Sequence, residues 1–312
     1  MPSTICITGG AGFIGSHVAD AFVAAGHQVI ILDDLSSGCK QNVPTGAELV
    51  TVDIRSGEAT EVLADRNVDV LIHHAAQMDV RRSVEDPRFD ADVNILGLLN
   101  LLEAARRTGV RQVIFASTGG AIYGEQDFHP ADELHPARPI SPYGVSKLAS
   151  ERYLYFYYSQ YGIDATCLRY ANVYGPRQNP HGEAGVVAIF MHKLLRDEQT
   201  VINGDGKQTR DYVYVGDVAR ANLAALGRKG FNIYNVGTGV EIDVNQLFTE
   251  VHRSLGTGSP ATHGPPMAGE QKRSCISADL LQRELSVHPK ISFSHGISQT
   301  AEWFRKRHEA RR

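Results

Sequence analysis

Within its first 34 residues the chain carries an order of segments that few folds can use. Thr4 to Thr8 is a short apolar strand that runs directly into Gly9-Gly10-Ala11-Gly12-Phe13-Ile14-Gly15. A helical pattern follows through Val18, Ala21, Phe22 and Ala25. A second apolar run, Val29 to Leu32, then ends in Asp33-Asp34. Strand, glycine turn, helix, strand and acid in that order predict the first βαβ unit of a doubly wound α/β sheet. Glycine lets the backbone turn tightly and approach a ligand with no Cβ in the way. Gly9, Gly12, Phe13, Ile14 and Gly15 therefore form a cradle at a helix N-terminus, where free amides and the helix dipole favour a pyrophosphate. Asp33 ends the second strand, where it could accept hydrogen bonds from an adenosine ribose. A carboxylate there repels a 2′-phosphate, which favours NAD over NADP.

The alternation continues. Leu49 to Ile54 reads as a third strand whose end, Asp53 and Ile54, could reach the adenine. Val68 to Ile72 is a fourth, leading into His73-His74-Ala75-Ala76-Gln77. The small Ala75-Ala76 pair would let a cofactor lie close. Adjacent side chains diverge on a strand, which argues against a metal site at His73 and His74. Arg81 and Arg82 read as a solvated loop. Residues 87–108 read as one long buried crossover helix, with Asn94 placed to bond backbone at the sheet edge. Gln112 to Ala116 is a fifth strand ending in Ser117-Thr118-Gly119-Gly120. Hydroxyls at the C-terminal end of a parallel strand sit over the ligand crevice, although the same residues also serve as plain turn formers.

Ser141-Pro142-Tyr143-Gly144-Val145-Ser146-Lys147 opens the next helix, which runs to about Tyr161. Ser141 suits the N-cap and Pro142 the first helical position. Tyr143 and Lys147 then share a face, about 6 Å apart along the axis. A phenol titrates near about 10 and must be pulled down to act as a base at neutral pH; an adjacent ammonium favours the phenolate. A Tyr and a Lys four apart also arise by chance, and the glycine turn at the other end of the chain is what gives this pair weight. The aromatics Tyr153, Tyr155, Phe156, Tyr157 and Tyr158 read as packing, either core or a helix–helix dimer face. Ala165 to Arg169 is a sixth strand.

After Tyr174-Gly175-Pro176-Arg177 the regular alternation fades into short helices at about 186–196, 215–226, 244–255 and 296–307, and Ile233 to Val236 looks like a strand returning to the first sheet. Gly256 to Gly269 is the most loop-like segment. The expected organisation is a dinucleotide-binding domain over 1–170, with about 211–237 returning to it, and a smaller mixed α/β substrate-binding lobe over 171–312. A chain of 312 residues, 42% hydrophobic and 21% charged, is long enough for this core. A net charge of -4 gives no basic field for nucleic acid. The basic cluster from Arg305 to Arg312 reads as a solvated tail. Cys6, Cys39, Cys167 and Cys275 are scattered, which argues against a disulfide framework or a zinc site and fits a reducing cytoplasm. No signal peptide and no membrane-spanning run is expected.

Taken together, the motifs resemble the extended short-chain dehydrogenase/reductase family, and within it nucleotide-sugar epimerases of the UDP-glucose 4-epimerase type. The residues that carry the resemblance are Thr8 to Gly15, Asp33 to Gly38, His74 to Gln77, Tyr143 to Lys147, Arg169 to Arg177 and Gly204 to Asp211. The resemblance implies a Rossmann domain that holds NAD throughout the cycle, with Asp34, Ser37, Gly38, Asn94 and Tyr170 added to the cofactor contacts. Tyr143 would remove the sugar O4 proton. Lys147 would bond the nicotinamide ribose and lower the tyrosine pKa. A hydroxyl would hold O4, from Thr118 by first choice and Ser117 by second. Hydride would pass from C4 to NAD+ and return to the other face of the 4-keto sugar. By the same resemblance Asn172 and Arg210 contact the diphosphate, and Val187 and Asn203 lie near the nucleotide base.

Two departures from the family pattern stand out. Met267 occupies the place of a common arginine two residues before Gly269-Glu270, which removes a bidentate phosphate contact. Arg273 or Lys272 is the expected substitute. Ser274 stands where some members carry a large aromatic, which leaves room for an N-acetylhexosamine. The alternatives on the same scaffold are a 4,6-dehydratase, a net reductase or a decarboxylase. Water elimination needs an acid and a base beside the catalytic hydroxyl, and Thr118-Gly119-Gly120-Ala121 has no carboxylate. A non-catalytic NAD-binding scaffold is the alternative of another class. A homodimer through the helices around Asn94 and Tyr155 is expected.

Overall fold

The computed structural model describes residues 2–181, 185–256, 259–267 and 271–310. Gly269 and Glu270 lie outside them. A seven-stranded parallel sheet is built from β1 (Thr4–Thr8), β2 (Gln28–Asp33), β3 (Ala47–Thr51), β4 (Val70–His73), β5 (Gln112–Thr118), β6 (Asp164–Tyr170) and, later in the chain, the strand Phe231–Val236. Spatially the returning strand comes first, beside β6, and the order then runs β5, β4, β1, β2, β3. The order reverses between β1 and β4. That topological switch point opens a crevice at the carboxyl ends of the strands, where such sheets bind ligands.

Strand alternation explains why both faces are covered. Ile5, Ile7, Ile31, Ile72 and Ile114 point to one face, against Val18 and Phe22 of α1 (Phe13–Ala24). Cys6, Ile30, Leu32, Leu71 and Val113 point to the other. There they meet Leu63 of α2 (Gly57–Asp65), Leu101 of the crossover helix and Leu154 of the Tyr143 helix.

The crossover is not one helix. Arg81 and Arg82 lie on a short helix, α3 (Val80–Glu85), because Asp79 caps it by accepting from the Arg82 amide at 3.0 Å. Then come α4 (Pro87–Ala91), a π-turn at Asp92–Leu96 and α5 (Gly97–Thr108). The π-turn carries Asn94, whose side chain bonds both ways to the Gln77 backbone at 2.9 Å. A π-bulge at a ligand-binding edge is a common device for aiming a side chain inward.

The turn after β5 is α6 (Gly119–Ile122), and α7 (Pro142–Tyr161) follows with the expected Ser141 cap, 3.2 Å from the Gly144 amide. A Cβ on Gly144 would stand 2.8 Å from the Ala121 carbonyl oxygen, so this glycine lets the start of α7 press against α6. The remaining elements are β7 (Asn172–Tyr174), α8 (Val186–Leu195), β8 (Val201–Asn203), β9 (Thr209–Tyr214), α9 (Val215–Ala225), β10 (Phe231–Val236), β11 (Glu241–Asp243), α10 (Val244–Leu255), β12 (Thr262–Gly264), β13 (Arg273–Ser274), α11 (Asp279–Leu285) and α12 (Phe293–Glu309). α9 packs on the sheet beside α1, while α8, α10 and α12 form a separate core around Tyr174 and Tyr212. The segment read as loop from Gly256 includes β12, which pairs with β8. A three-residue strand with two exposed positions carries no periodic signal of its own.

Candidate active site

Gly9 adopts φ +68°, and a Cβ there would lie 2.6 Å from the Ala75 amide nitrogen. A Cβ on Gly15 would lie 2.2 Å from the Gly9 carbonyl oxygen. These contacts fold Gly9, Gly12, Phe13, Ile14 and Gly15 into a tight cradle at the α1 N-terminus, with Ala75 and Ala76 across from it. Without side chains at Gly9 and Gly15 the turn packs on itself and on the end of β4, which leaves the α1 N-terminus bare as an anion-binding site. Asp33 locks the turn. Its carboxylate accepts from the Ala11 and Leu35 amides, each at 2.9 Å, and burial pushes the carboxyl upward against those two bonds. A carboxylate keeps further lone pairs for a ribose. Gly38 lies against Asp33, since a Cβ on it would be 2.5 Å from Oδ1. Asp34 is held by Ser36 at 2.9 Å and 2.6 Å, and Ser37 lines a cavity of about 430 Å³ beside Phe13 and Cys39.

Asp53 pairs with Arg55 at 2.5 Å, which holds its carboxyl below the usual range, and Ile54 is buried against Gly97. Gln77 and Asn94 are joined to Asp90, and Asp90 accepts from Ser146 at 2.6 Å. The two histidines after β4 part as a strand dictates. His73 faces Thr8 (2.8 Å to its hydroxyl) and His74 faces the Tyr170 hydroxyl at 3.1 Å. Burial pulls both down to about 3, so both are neutral. Tyr170 is therefore sequestered at the sheet, where Asn222 also donates to its hydroxyl at 2.8 Å. Among the described residues, no three His, Cys, Asp or Glu side chains gather as a metal site.

Lys147 is fully buried, donates to the Ala116 carbonyl at 2.8 Å, and stands 4.7 Å from the Phe115 ring centroid and 5.8 Å from that of Tyr143. Burial pulls its ammonium down to about 8, against Asp90 and Glu151, which support the charge. The two hydroxyls at the end of β5 are separated by strand alternation. Ser117 is buried and donates to Glu151 at 2.6 Å. Thr118 caps α6, accepting from the Ala121 amide at 3.2 Å. α6 touches α7 at Gly144, so Thr118 and Tyr143 open the two elements that meet there.

Of the residues expected to hold substrate, Asn172 opens β7 next to this turn. A Cβ on Gly120 would lie 3.8 Å from its Oδ1. Arg210 is on β9, level with Ser274 on β13, and donates to the Thr209 carbonyl at 2.8 Å. Asn203 ends β8 and its carbonyl accepts from Gln208 at 3.2 Å, whereas the Val187 side chain is buried in the second core. Arg273 goes elsewhere. Its fork grips Glu241 at 2.9 Å and 2.6 Å and holds that carboxyl down to about 2. β9 is flanked by β11 and β13, which puts the Glu241 and Arg273 side chains in reach of each other. The guanidinium found near Met267 belongs instead to Arg81, whose Nη2 lies 3.8 Å from the Met267 sulfur. The sequence signal for this residue was the Asp79 cap ahead of Val80-Arg81-Arg82, which turns a presumed loop into a helix. Arg82, next to it, stacks on Phe89 at 4.0 Å.

A UDP-glucose 4-epimerase of Mycolicibacterium smegmatis is 44% identical over 307 residues, spanning 96% of this chain and 98% of its own. Two solved structures match at 45% identity, each covering 97% of this chain and 99% of its own. One is the Thermotoga maritima UDP-glucose 4-epimerase with UDP-glucose, at a TM-score of 0.95. The other is the Thermus thermophilus UDP-glucose 4-epimerase in complex with NAD, at 0.92. The model of the NAD dependent epimerase/dehydratase family matches residues 5–237. With the Rossmann strand order and the glycine cradle in place, the chain belongs to the NAD dependent epimerase/dehydratase family.

Proposed function

We propose that this protein is an NAD-dependent 4-epimerase of UDP-hexoses of the glucose/galactose type. The observation that carries this reading is the meeting of Lys147, Tyr143 and the Thr118 turn at the crevice, with no carboxylate in that turn to eliminate water. NAD, held by the Gly9–Gly15 cradle, Asp33 and the Ala75-Ala76 pair, would supply the hydride acceptor and donor. Tyr143 as phenolate takes the O4 proton and returns it after the sugar turns over. Lys147 supplies the cation that makes a phenolate accessible, and Thr118 holds O4. Asn172 and Arg210 bind the diphosphate. A site that must release the keto sugar enough to turn over needs its affinity on the nucleotide, far from the reacting carbon. Residues 1–170 with 211–237 hold the cofactor in this scheme, and the rest of 171–312 holds the sugar nucleotide. The exposed apolar side chains Leu96, Tyr153, Tyr155 and Phe156, on the crossover beside Asn94 and on α7 around Tyr155, are assigned to a homodimer face. A cytoplasmic location accords with free cysteines, three of them buried.

The deciding assay uses purified protein with no added cofactor, offered UDP-glucose, with products resolved by chromatography. UDP-galactose at the equilibrium ratio is the expected product. Accumulation of a 4-keto product or of NADH would replace the reading with a dehydratase or dehydrogenase, and no conversion would refute it.

Ser274 is buried and level with Arg210, and in this scheme it is the small residue on the sugar side of the site. UDP-N-acetylglucosamine should therefore be epimerised within about 200-fold of the rate on UDP-glucose, since one extra group in a pocket changes binding by about 1–3 kcal/mol. Ser274→Tyr should close the pocket to the acetylated sugar and keep the plain one. Rejection of the acetylated sugar by the unmodified protein would end this part of the proposal.

A further inference from the structure

Behind the strand end that carries Thr118 lies a charged cluster sealed from water. Glu151 sits four residues after Lys147 on α7, and its side chain and that of Arg169 are 1% and 4% exposed. Arg169, from β6, donates through Nε at 2.9 Å and Nη2 at 2.6 Å to the two carboxylate oxygens. Ser117 donates to the same carboxylate at 2.6 Å. Arg169 Nη1 donates to the Tyr123 hydroxyl at 3.0 Å, and Tyr123 donates to Asn235 Oδ1 at 2.7 Å. One carboxylate thus ties together α7, β5, β6, the α6 turn and β10. Apolar residues of similar volume often replace a buried ion pair without loss of stability, so stability is a weak reason for this one.

We propose that Glu151 is a positioning residue of the site, acting through Ser117 on the Thr118 hydroxyl and through Lys147 on Tyr143. This rests on the roles given to those three residues above. The first link is geometric. Side chains alternate along β5, so a Ser117 hydroxyl pinned behind the sheet by Glu151 fixes its neighbour Thr118 on the opposite side.

The second link is electrostatic. The groups facing Lys147 are Tyr143 and Glu151 from its own helix, Asp90 from α4, and neutral His73 and His74 from β4; Glu151 is itself paired with Arg169 of β6. Asp90 is engaged by Gln77, Asn94 and Ser146. Glu151 is the other carboxylate that supports the buried ammonium. A lysine with a lowered pKa is charged below that value and loses its charge as pH rises through it. Removing the Glu151 charge lowers the value further, so the ammonium is lost at lower pH and the Tyr143 phenolate forms at higher pH.

The test is Glu151→Gln in the NAD-loaded protein. Its kcat should fall about tenfold or more with KM within about twofold, and the alkaline limb of the kcat profile should move to lower pH by about one unit. Ser117→Ala keeps the ion pair; it should lose a few-fold in kcat with an unmoved pH profile. Should Glu151→Gln fail to fold because Arg169 is left unpaired, Glu151→Gln/Arg169→Met removes both charges; it should fold and lose kcat a few-fold through the unpinned Ser117, with the alkaline limb moved less than by loss of the Glu151 charge alone, and wild-type kcat in that variant overturns the Ser117 link. Wild-type kcat and an unmoved alkaline limb in the folded variant overturn the proposal. If the unmodified protein epimerises no nucleotide sugar, that failure belongs to the proposed function. The ultraviolet difference titration of Tyr143, taken against Tyr143→Phe, then decides the Glu151 role: a phenolate displaced to higher pH by Glu151→Gln supports it, and an unchanged titration refutes it.

Discussion

Tyr143→Phe should lower kcat for epimerisation by about 10²–10⁴-fold, the span that a positioned proton-transfer group supplies, while bound NAD and Tm stay at the wild-type level. The change removes one oxygen from a half-buried side chain and leaves α7, its Ser141 cap and the Lys147 contacts untouched. The loss therefore reports chemistry rather than folding. Single-turnover measurement should show the defect in the step that takes the O4 proton, with substrate binding preserved. Turnover at the wild-type rate would remove Tyr143 from the role assigned to it.

Gly15→Ala has the other large effect, and it strikes the cofactor. The new Cβ would stand 2.2 Å from the Gly9 carbonyl oxygen and 2.9 Å from its carbon, both backbone atoms that cannot rotate away. Either the start of α1 or the turn must shift, which moves the Phe13 and Ile14 amides that the proposed scheme sets at the pyrophosphate. Overpacking of this kind costs about 1–3 kcal/mol. If that shift falls on the proposed pyrophosphate contacts, about 2–3 kcal/mol corresponds to roughly a 30–150-fold weaker hold on NAD. Acid release of NAD from the purified variant, compared with its Tm, checks this. Gly57→Ala is the control: nothing lies within 4 Å of the added Cβ, and alanine favours the helix that Gly57 begins. A Gly15→Ala protein that carries as much NAD as the control would show that the cradle is looser than its contacts indicate.

Much of the site was readable in the chain because its signals are local. The glycine turn, Asp33 and the Ser141 cap each depend on residues within a few positions of one another. The strands Leu49 to Ile54 and Ile233 to Val236 were read from apolar runs, and in the fold they run over Ala47–Thr51 and Phe231–Val236. The helix α2 escaped notice. Its apolar stripe is short, and only Ala59 and Leu63 of its nine residues are buried. The π-turn at Asp92–Leu96 escaped as well, because a single extra residue in a helix leaves the apolar periodicity on either side intact.

The sequence by itself determined the class of sheet, the cofactor cradle, the Tyr143–Lys147 pair and the absence of a carboxylate beside Thr118, since each follows from residue type and short spacing. Tertiary structure alone decided which partner each long polar side chain takes. It gave Arg273 to Glu241, brought Arg81 to Met267 across 186 residues of sequence, and turned Ser117 away from Thr118 onto Glu151, which Arg169 also grips. The physical reason is that a buried or bidentate charge must be matched by whichever opposite charge the packing of distant strands and helices brings within about 3 Å, and the order of residues along the chain carries no record of that distance.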